Sequence, residues 1–239
     1  MLVKTKAIVI SSLKYSEADL IVKCFTESSG LKTYLLRNIL KSKKGKLRTA
    51  MFQPLTQLEI EANHKDKGTL ESIREAKVIA PYQSLHTEIT KSAIVFFLSD
   101  ILRSAIQEEE ANPELFAYLS AATSWLDHHK ASANFHLLFV LRLSAHLGFY
   151  PDDSLVHKSY FNLMDGTFAD DEHSIYCRNG DTINTLKQLL GTNFDALHSV
   201  KLNQKQRADF LAMLLQYYEL HLHGFKKPRS LAVLNTIFS

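Results

Sequence analysis

The spacing of apolar and polar positions changes once along the chain. Up to about residue 80 the apolar residues come in short, β-branched runs: Ala7-Ile8-Val9-Ile10, then Leu20 to Thr26, then Leu31 to Ile39. Such runs have the composition of strands. Thr56 to Ala62 alternates, with Thr56, Leu58, Ile60 and Ala62 on one side and Gln57, Glu59 and Glu61 on the other. That strand is expected to bury one face and wet the other. Leu70 to Val78 supplies a fifth strand, and Ser28-Ser29-Gly30 and Asn63 to Gly68 supply turns. Five short strands predict a small closed or nearly closed barrel, because closure removes the unpaired edges that an open meander exposes.

Beyond Pro81 the period becomes helical, which divides the chain into a strand-built domain, 1–80, and a helical domain, 81–239. Leu85 to Gln107 is apolar around most of its circumference, including Ile89, Ile94, Phe96, Phe97 and Ile101, and reads as a largely buried helix. Asn112-Pro113-Glu114 has the N-cap, first-turn proline and acidic residue that start a second helix, through Leu126. A third runs from about Ala133 to Leu147 and stops at Gly148. Residues 150–182 are polar and contain Asp165-Gly166 and Asn179-Gly180, so a short irregular or hairpin excursion is expected there. Helices resume at Asp181 to Leu190, Asn203 to Leu222 and Ser230 to Phe238.

Composition narrows the class. In 239 residues, 46% are apolar, ample for a buried core, and 8 Gly with 5 Pro leave no linker-like stretch. The opening Met1-Leu2-Val3-Lys4-Thr5-Lys6 lacks the pattern of a secretory signal, and the most apolar runs are broken by Asp100, Arg142 and His146. A cytoplasmic protein without a membrane association is expected. Cys24 and Cys177 have no paired spacing and read as reduced thiols.

The charge is unevenly divided. Residues 1–80 hold 15 Lys and Arg against 8 Asp and Glu, whereas residues 81–239 hold 13 against 17. The densest part is Lys32 to Arg48, where Lys32, Arg37, Lys41, Lys43, Lys44, Lys46 and Arg48 occur without one acidic residue. Cations in a loop at the end of a strand can follow a phosphate backbone and displace its condensed counterions. An ordinary solvated loop has the same composition, but a small β-barrel is also a common host for single strands. Tyr15, Phe25, Tyr34 and Phe52 are candidates for stacking on bases, with core packing as the commoner role.

Other chemistry finds little support. The histidines (His128-His129, His136, His146, His221, His223) have no metal-ligand spacing, and His221 and His223 are placed to serve the end of a helix. Asp170-Asp171-Glu172-His173 reads as a solvated turn. No nucleophile elbow, phosphate loop or dinucleotide fingerprint is present, so no catalytic residue, metal or cofactor is expected.

Several segments resemble the bacterial recombination-mediator family RecO. Tyr15-Ser16-Glu17-Ala18-Asp19-Leu20-Ile21-Val22, with Phe25-Thr26 and Gly30, is similar to that family's Y-x-E-x-D-L-I-V-x-x-F-T-x-x-x-G opening. Gln53-Pro54-Leu55-Thr56-Gln57-Leu58-Glu59 resembles its Q-P-F-T-x-L-E, with Leu55 where Phe is usual, and Ile73-Arg74-Glu75-Ala76 its L-R-E-A. Leu147 to Asp152 and Lys227 to Leu231 are shorter matches to L-G-Y-x-P-D and K-S-R-x-L.

The resemblance implies an α+β protein: an N-terminal five-stranded oligonucleotide-binding (OB) fold barrel followed by an all-helical C-terminal domain. It implies binding of single- and double-stranded DNA, annealing of complementary strands, and loading of recombinase on DNA covered by single-strand-binding protein, together with RecR. A nucleoid-associated location in the bacterial cytoplasm goes with that function. The acidic tail of the single-strand-binding protein is expected on the helical domain, at Lys227 and Arg229. Many relatives carry four cysteines in the excursion, whereas residues 150–182 contain only Cys177, so a zinc-less excursion packed by Tyr160, Phe161, Phe168 and Tyr176 is expected. A protein-binding adaptor and a metal-dependent nuclease using Asp170 to His173 are the competing readings.

Overall fold

The computed structural model describes residues 1–42, 46–65, 70–107, 110–130 and 133–238. The chain forms two compact units, Met1–His129 and Lys130–Ser239. Both are mixed α and β, and no helix among the described residues is long and apolar enough to cross a membrane.

The first unit is built on β1 (Leu2–Lys14), β2 (Leu20–Thr26), β3 (Gly30–Leu36), β4 (Gln57–Asn63) and β5 (Ser72–Val78). All neighbours are antiparallel, in the order β3-β2-β1-β4-β5. The sheet is not a closed ring of strands, and β3 and β5 are its edges; a single parallel bridge between Tyr34 and Glu71 draws those edges together. β1 extends well beyond the four apolar residues visible in the sequence. Its exposed Lys4 and Lys6 alternate with inward positions, a bulge lies between Val9 and Ser11, and both faces are buried from Ala7 to Ile10. Ala7 and Val9 join the core with Val22, Tyr34 and Leu58. Ile8 and Ile10 turn to the opposite face, where the helices pack and Ser99 Oγ donates to the Ile10 carbonyl at 2.7 Å.

Two helices complete this unit, α1 (Ile89–Ala105) and α2 (Pro113–His128). The Asn112 side chain accepts from Leu115 N and caps α2 as its sequence predicts. α1 starts four residues later than Leu85; the stretch before it is a separate turn in which the Ser84 carbonyl accepts from Thr87 N and Glu88 N, while the Asp127 carboxylate accepts from the N–H groups of Gln83, Ser84 and Leu85. Its burial is less complete than the composition predicts, with Ile89 and Phe96 exposed.

The second unit contains α3 (Phe135–His146), a small sheet of β6 (Tyr160–Asn162), β7 (Thr167–Ala169) and β8 (Cys177–Arg178) in the order β7-β6-β8, then α4 (Asp181–Leu190), α5 (Gln204–His221) and α6 (Leu231–Ile237). The excursion is thus a three-stranded sheet within a helical unit. Nine residues of α3 are buried, as befits a helix apolar on all sides. Gly148, at φ 84°, ends its C-terminal turn in a conformation that favours glycine. A capping box between Asn203 and Gln206 opens α5.

Candidate nucleic-acid interface

Beyond β3 the chain turns through Asn38, at φ 57°, and Lys41 N and Ser42 N both donate to the Asn38 carbonyl. Ile39 is buried beneath this turn and Leu40 packs on the same core, so Arg37 and Lys41 stand on an anchored support. At the far end of the basic segment Leu47 packs against the core and Phe52 enters it, which fixes the approach of Lys46 and Arg48. Lys43 and Lys44 lie outside the described residues.

The expected cations are not all brought together. Arg37, Lys41, Lys46 and Arg48 are exposed around the anchored segment. Lys32 is half-buried at the opposite end of β3, about 17 Å of extended strand from Arg37. Arg37 and Arg48 make no ion pair among the described residues, but Lys41 meets Glu17 at 3.3 Å and Lys46 meets Glu75 at 2.6 Å. The Lys46 ammonium holds the Glu75 carboxyl below the usual carboxylate range, chiefly through its hydrogen bond. These pairs are exposed, and exposed pairs contribute little stability, so a polyanion can compete for their cations. The strands outside this segment neutralise themselves differently, with Lys4 on Glu59, Lys6 on Glu27 and Arg74 on Glu61.

Of the four candidate stacking residues, Phe25, Tyr34 and Phe52 are core. Tyr34 Oη meets His64 Nε2 at 2.8 Å inside the sheet, and burial raises its pKa. Tyr15 alone of the four is exposed. The thiol of Cys24 is buried and pushed up to about 12, far from reactivity at neutral pH.

In the second unit Lys227 and Arg229 are exposed, and Lys227 lies 3.4 Å from Glu219. Neither lines the open groove of about 750 Å³ formed by Lys130, Leu197, Val200, Lys201, Leu202 and Arg207, among others. That cationic and apolar groove is not legible in the sequence because its residues come from two stretches, 130–134 and 197–207, more than 60 residues apart. The Arg207 guanidinium is already committed, donating to the carbonyls of Leu202 and Phe238 at 2.7 and 3.0 Å.

The excursion does not offer a zinc set. Cys177 Sγ has His173 Nδ1 at 3.9 Å, and among the described residues no three His, Cys, Asp or Glu gather as metal ligands. Asp170 and Asp171 are engaged instead with Lys158 and His173. Packing holds the small sheet: Phe161 and Phe168 are buried edge to face at 4.9 Å, and Tyr217 packs on Phe161, whereas Tyr160 and Tyr176 are only half-buried. Tyr217 Oη also donates to the Phe149 carbonyl at 2.8 Å. His221 does not serve its own helix end; its ring meets the Leu163 carbonyl at 2.9 Å and stacks on Phe149.

Comparison with known proteins places this geometry in context. Residues 1–82 match the family described as recombination protein O N terminal, and residues 86–231 match recombination protein O C terminal. Relatives named DNA repair protein RecO include those of Christiangramia forsetii, 56% identical, Flavobacterium johnsoniae, 49% identical, and Bacteroides fragilis, 40% identical. In each comparison the whole of this chain and the whole of the relative are covered.

Proposed function

The chain belongs to the RecO family of DNA repair proteins, and from that premise we propose that it binds DNA through the basic segment of its first unit, anneals complementary strands and helps load recombinase. The observation that carries this reading is the set of exposed cations, Arg37, Lys41, Lys46 and Arg48, on a segment whose two ends are pinned in the sheet core. Lys43 and Lys44 belong to the same segment in the sequence. Annealing requires that phosphate repulsion fall while two strands are held close, which counterion release accomplishes without a reacting group. The reading therefore needs neither catalysis nor a cofactor. An OB-type barrel is the architecture that goes with it, supported by the Tyr34 to Glu71 bridge between the edge strands.

The partners proposed are single- and double-stranded DNA, RecR, and the acidic tail of single-strand-binding protein, in the bacterial cytoplasm at the nucleoid. Lys227 and Arg229 remain the proposed contacts for that tail, since both present charge to solvent. Binding of single-stranded DNA measured against salt, for the wild type and a Lys41/Lys43/Lys44/Lys46→Ala variant, tests the reading. The variant is expected to bind more weakly with a shallower salt slope. Equal affinity and slope would remove the segment from the mechanism. One observation favours the adaptor reading: Lys41 and Lys46 already face Glu17 and Glu75. Tail-peptide binding without DNA affinity would select it.

A further inference from the structure

The end of β1 and the turn that follows it expose two large apolar side chains, Leu13 at 66% and Tyr15 at 63%, whereas Ala7 to Ile10 of the same strand are buried. Strand register places this turn beside the cations. Lys14 pairs with Leu20, and Leu20 pairs with Leu36, so one row of the sheet runs Lys14, Leu20, Leu36. Tyr15 and Arg37 are each the next residue beyond that row, on the two strands that flank β2. Two strand spacings, about 10 Å, separate their backbones.

Hydrogen bonds make the two turns one surface. Tyr15 N donates to the Asp19 carbonyl at 3.0 Å and closes the first turn, while Ser16 Oγ accepts from Ala18 N and Asp19 N within it. Asp19 Oδ1 then accepts from Asn38 N at 2.8 Å, and the Ala18 carbonyl accepts from Leu40 N at 3.0 Å. The ring of Tyr15 and the guanidinium of Arg37 are thus carried by backbones fastened to each other.

Resting on the DNA reading above, we propose that Tyr15 is the base-stacking platform of this interface, and that its ligand is the unpaired base of a single strand whose phosphates follow Arg37 and Lys41. An exposed ring offers a π-face to any base, so stacking adds affinity without sequence preference. In a duplex the base faces are covered by their neighbours, so the ring adds nothing there. The segment around Tyr15 is therefore a device that distinguishes single strands from duplexes, whereas the cations serve both.

The test uses the full chain with an oligothymidine strand, an abasic strand of the same length and charge, and a duplex. Wild-type protein is expected to bind the thymidine strand about fivefold or more tighter than the abasic one. Tyr15→Ala should erase that difference and leave duplex affinity and the salt slope unchanged, while Tyr15→Phe should keep it. Photocrosslinking to 5-iodouracil DNA should place an adduct on Tyr15. Unchanged discrimination in Tyr15→Ala, or adducts confined to other residues, would overturn the inference while leaving the DNA reading intact. Failure of the wild type to bind any of the three would overturn both.

Discussion

The ammonium of Lys91 on α1 donates to the main-chain oxygen of Asp127 on α2 at 2.9 Å, and both residues are buried. Lys91 also donates to Ser84 Oγ at 2.6 Å, and the Asp127 carboxylate receives the N–H groups of Gln83, Ser84 and Leu85 at 2.8 to 2.9 Å. A buried cation and a buried anion thus fasten the linker that follows the sheet to the end of α2. Burial raises the Asp127 pKa, but the three backbone donors and the Ser84 hydroxyl outweigh it and hold the carboxyl below its ordinary value.

Replacing Asp127 by Ala leaves the buried Leu85 N–H and the part-buried N–H groups of Gln83 and Ser84 without their acceptor and is expected to cost about 2 kcal/mol in chemical denaturation, with Asp127→Asn intermediate. The depressed pKa fixes the sign of the pH dependence. The carboxylate stabilises fully above the ordinary carboxylate pKa of about 3.9, and that contribution is lost as pH falls from there through the folded value. The difference between wild type and Asp127→Ala should be flat near neutrality and shrink below about pH 4. An unchanged unfolding midpoint at pH 7 would show the linker is held by something else.

Gln57 gives a second expected outcome. Its Nε2 lies 2.9 Å from Tyr82 Oη, 3.2 Å from the Ser120 carbonyl and 3.2 Å from Thr123 Oγ1, and Ser120 Oγ donates to its Oε1 at 2.7 Å. Gln57→Leu should destabilise the first unit by about 1–3 kcal/mol, since it strips partners from polar groups that stay buried. Hydrogen exchange of the β4 and α2 amides would report it, and protection equal to the wild type would contradict the role.

These two sites mark where legibility in the sequence ends. The alternation of Leu58, Ile60 and Ala62 foretells an inward face, and Asn112 and Asn203 foretell helix starts, because strand faces and caps are set by neighbours within a few residues. Gln57 breaks the wet-face reading because α2, more than 60 residues away, covers that end of the strand. Lys91 and Asp127 were invisible for the same reason, since a buried ion needs partners that only tertiary packing supplies. The length of β1 was hidden by its lysines, which lie on the wet face, and by the bulge that breaks its alternation. Within the interface, local charge was legible; the separation of Lys32 and the pairing of Lys41 and Lys46 depend on strand length and on acids far along the chain.

His136 on α3 carries a pH dependence of its own. Burial, and then the repulsion of Arg207, lowers its pKa to about 3. The unfolded chain protonates this ring near pH 6.5 while the folded chain does not, so stability falls as pH drops below that value, by up to about 1.4 kcal/mol per pH unit. His136→Phe should lose less stability than the wild type between pH 7 and pH 5. Parallel curves for the two proteins in denaturant titrations would show that the ring does not set the slope.

Glu75 lies 2.6 Å from Lys46 in the basic segment, so in the proposed interface the pair would govern whether that cation is available to a phosphate. The carboxylate neutralises it in the free protein; under the proposed function a strand that recruits Lys46 would have to displace Glu75, and the acid would compete with DNA. Glu75→Gln is therefore expected to raise single-strand affinity about two- to fivefold at low salt, with the gain fading as ionic strength shortens the reach of both charges. The pairing makes a sharper demand than net charge does. In a Lys46→Ala background the same substitution should give much less, because only the general repulsion between Glu75 and the strand remains to be relieved. An equal gain in both backgrounds would mean that Lys46 is not the cation the strand recruits, and would move the phosphate path toward Arg37 and Lys41 on the other side of the segment.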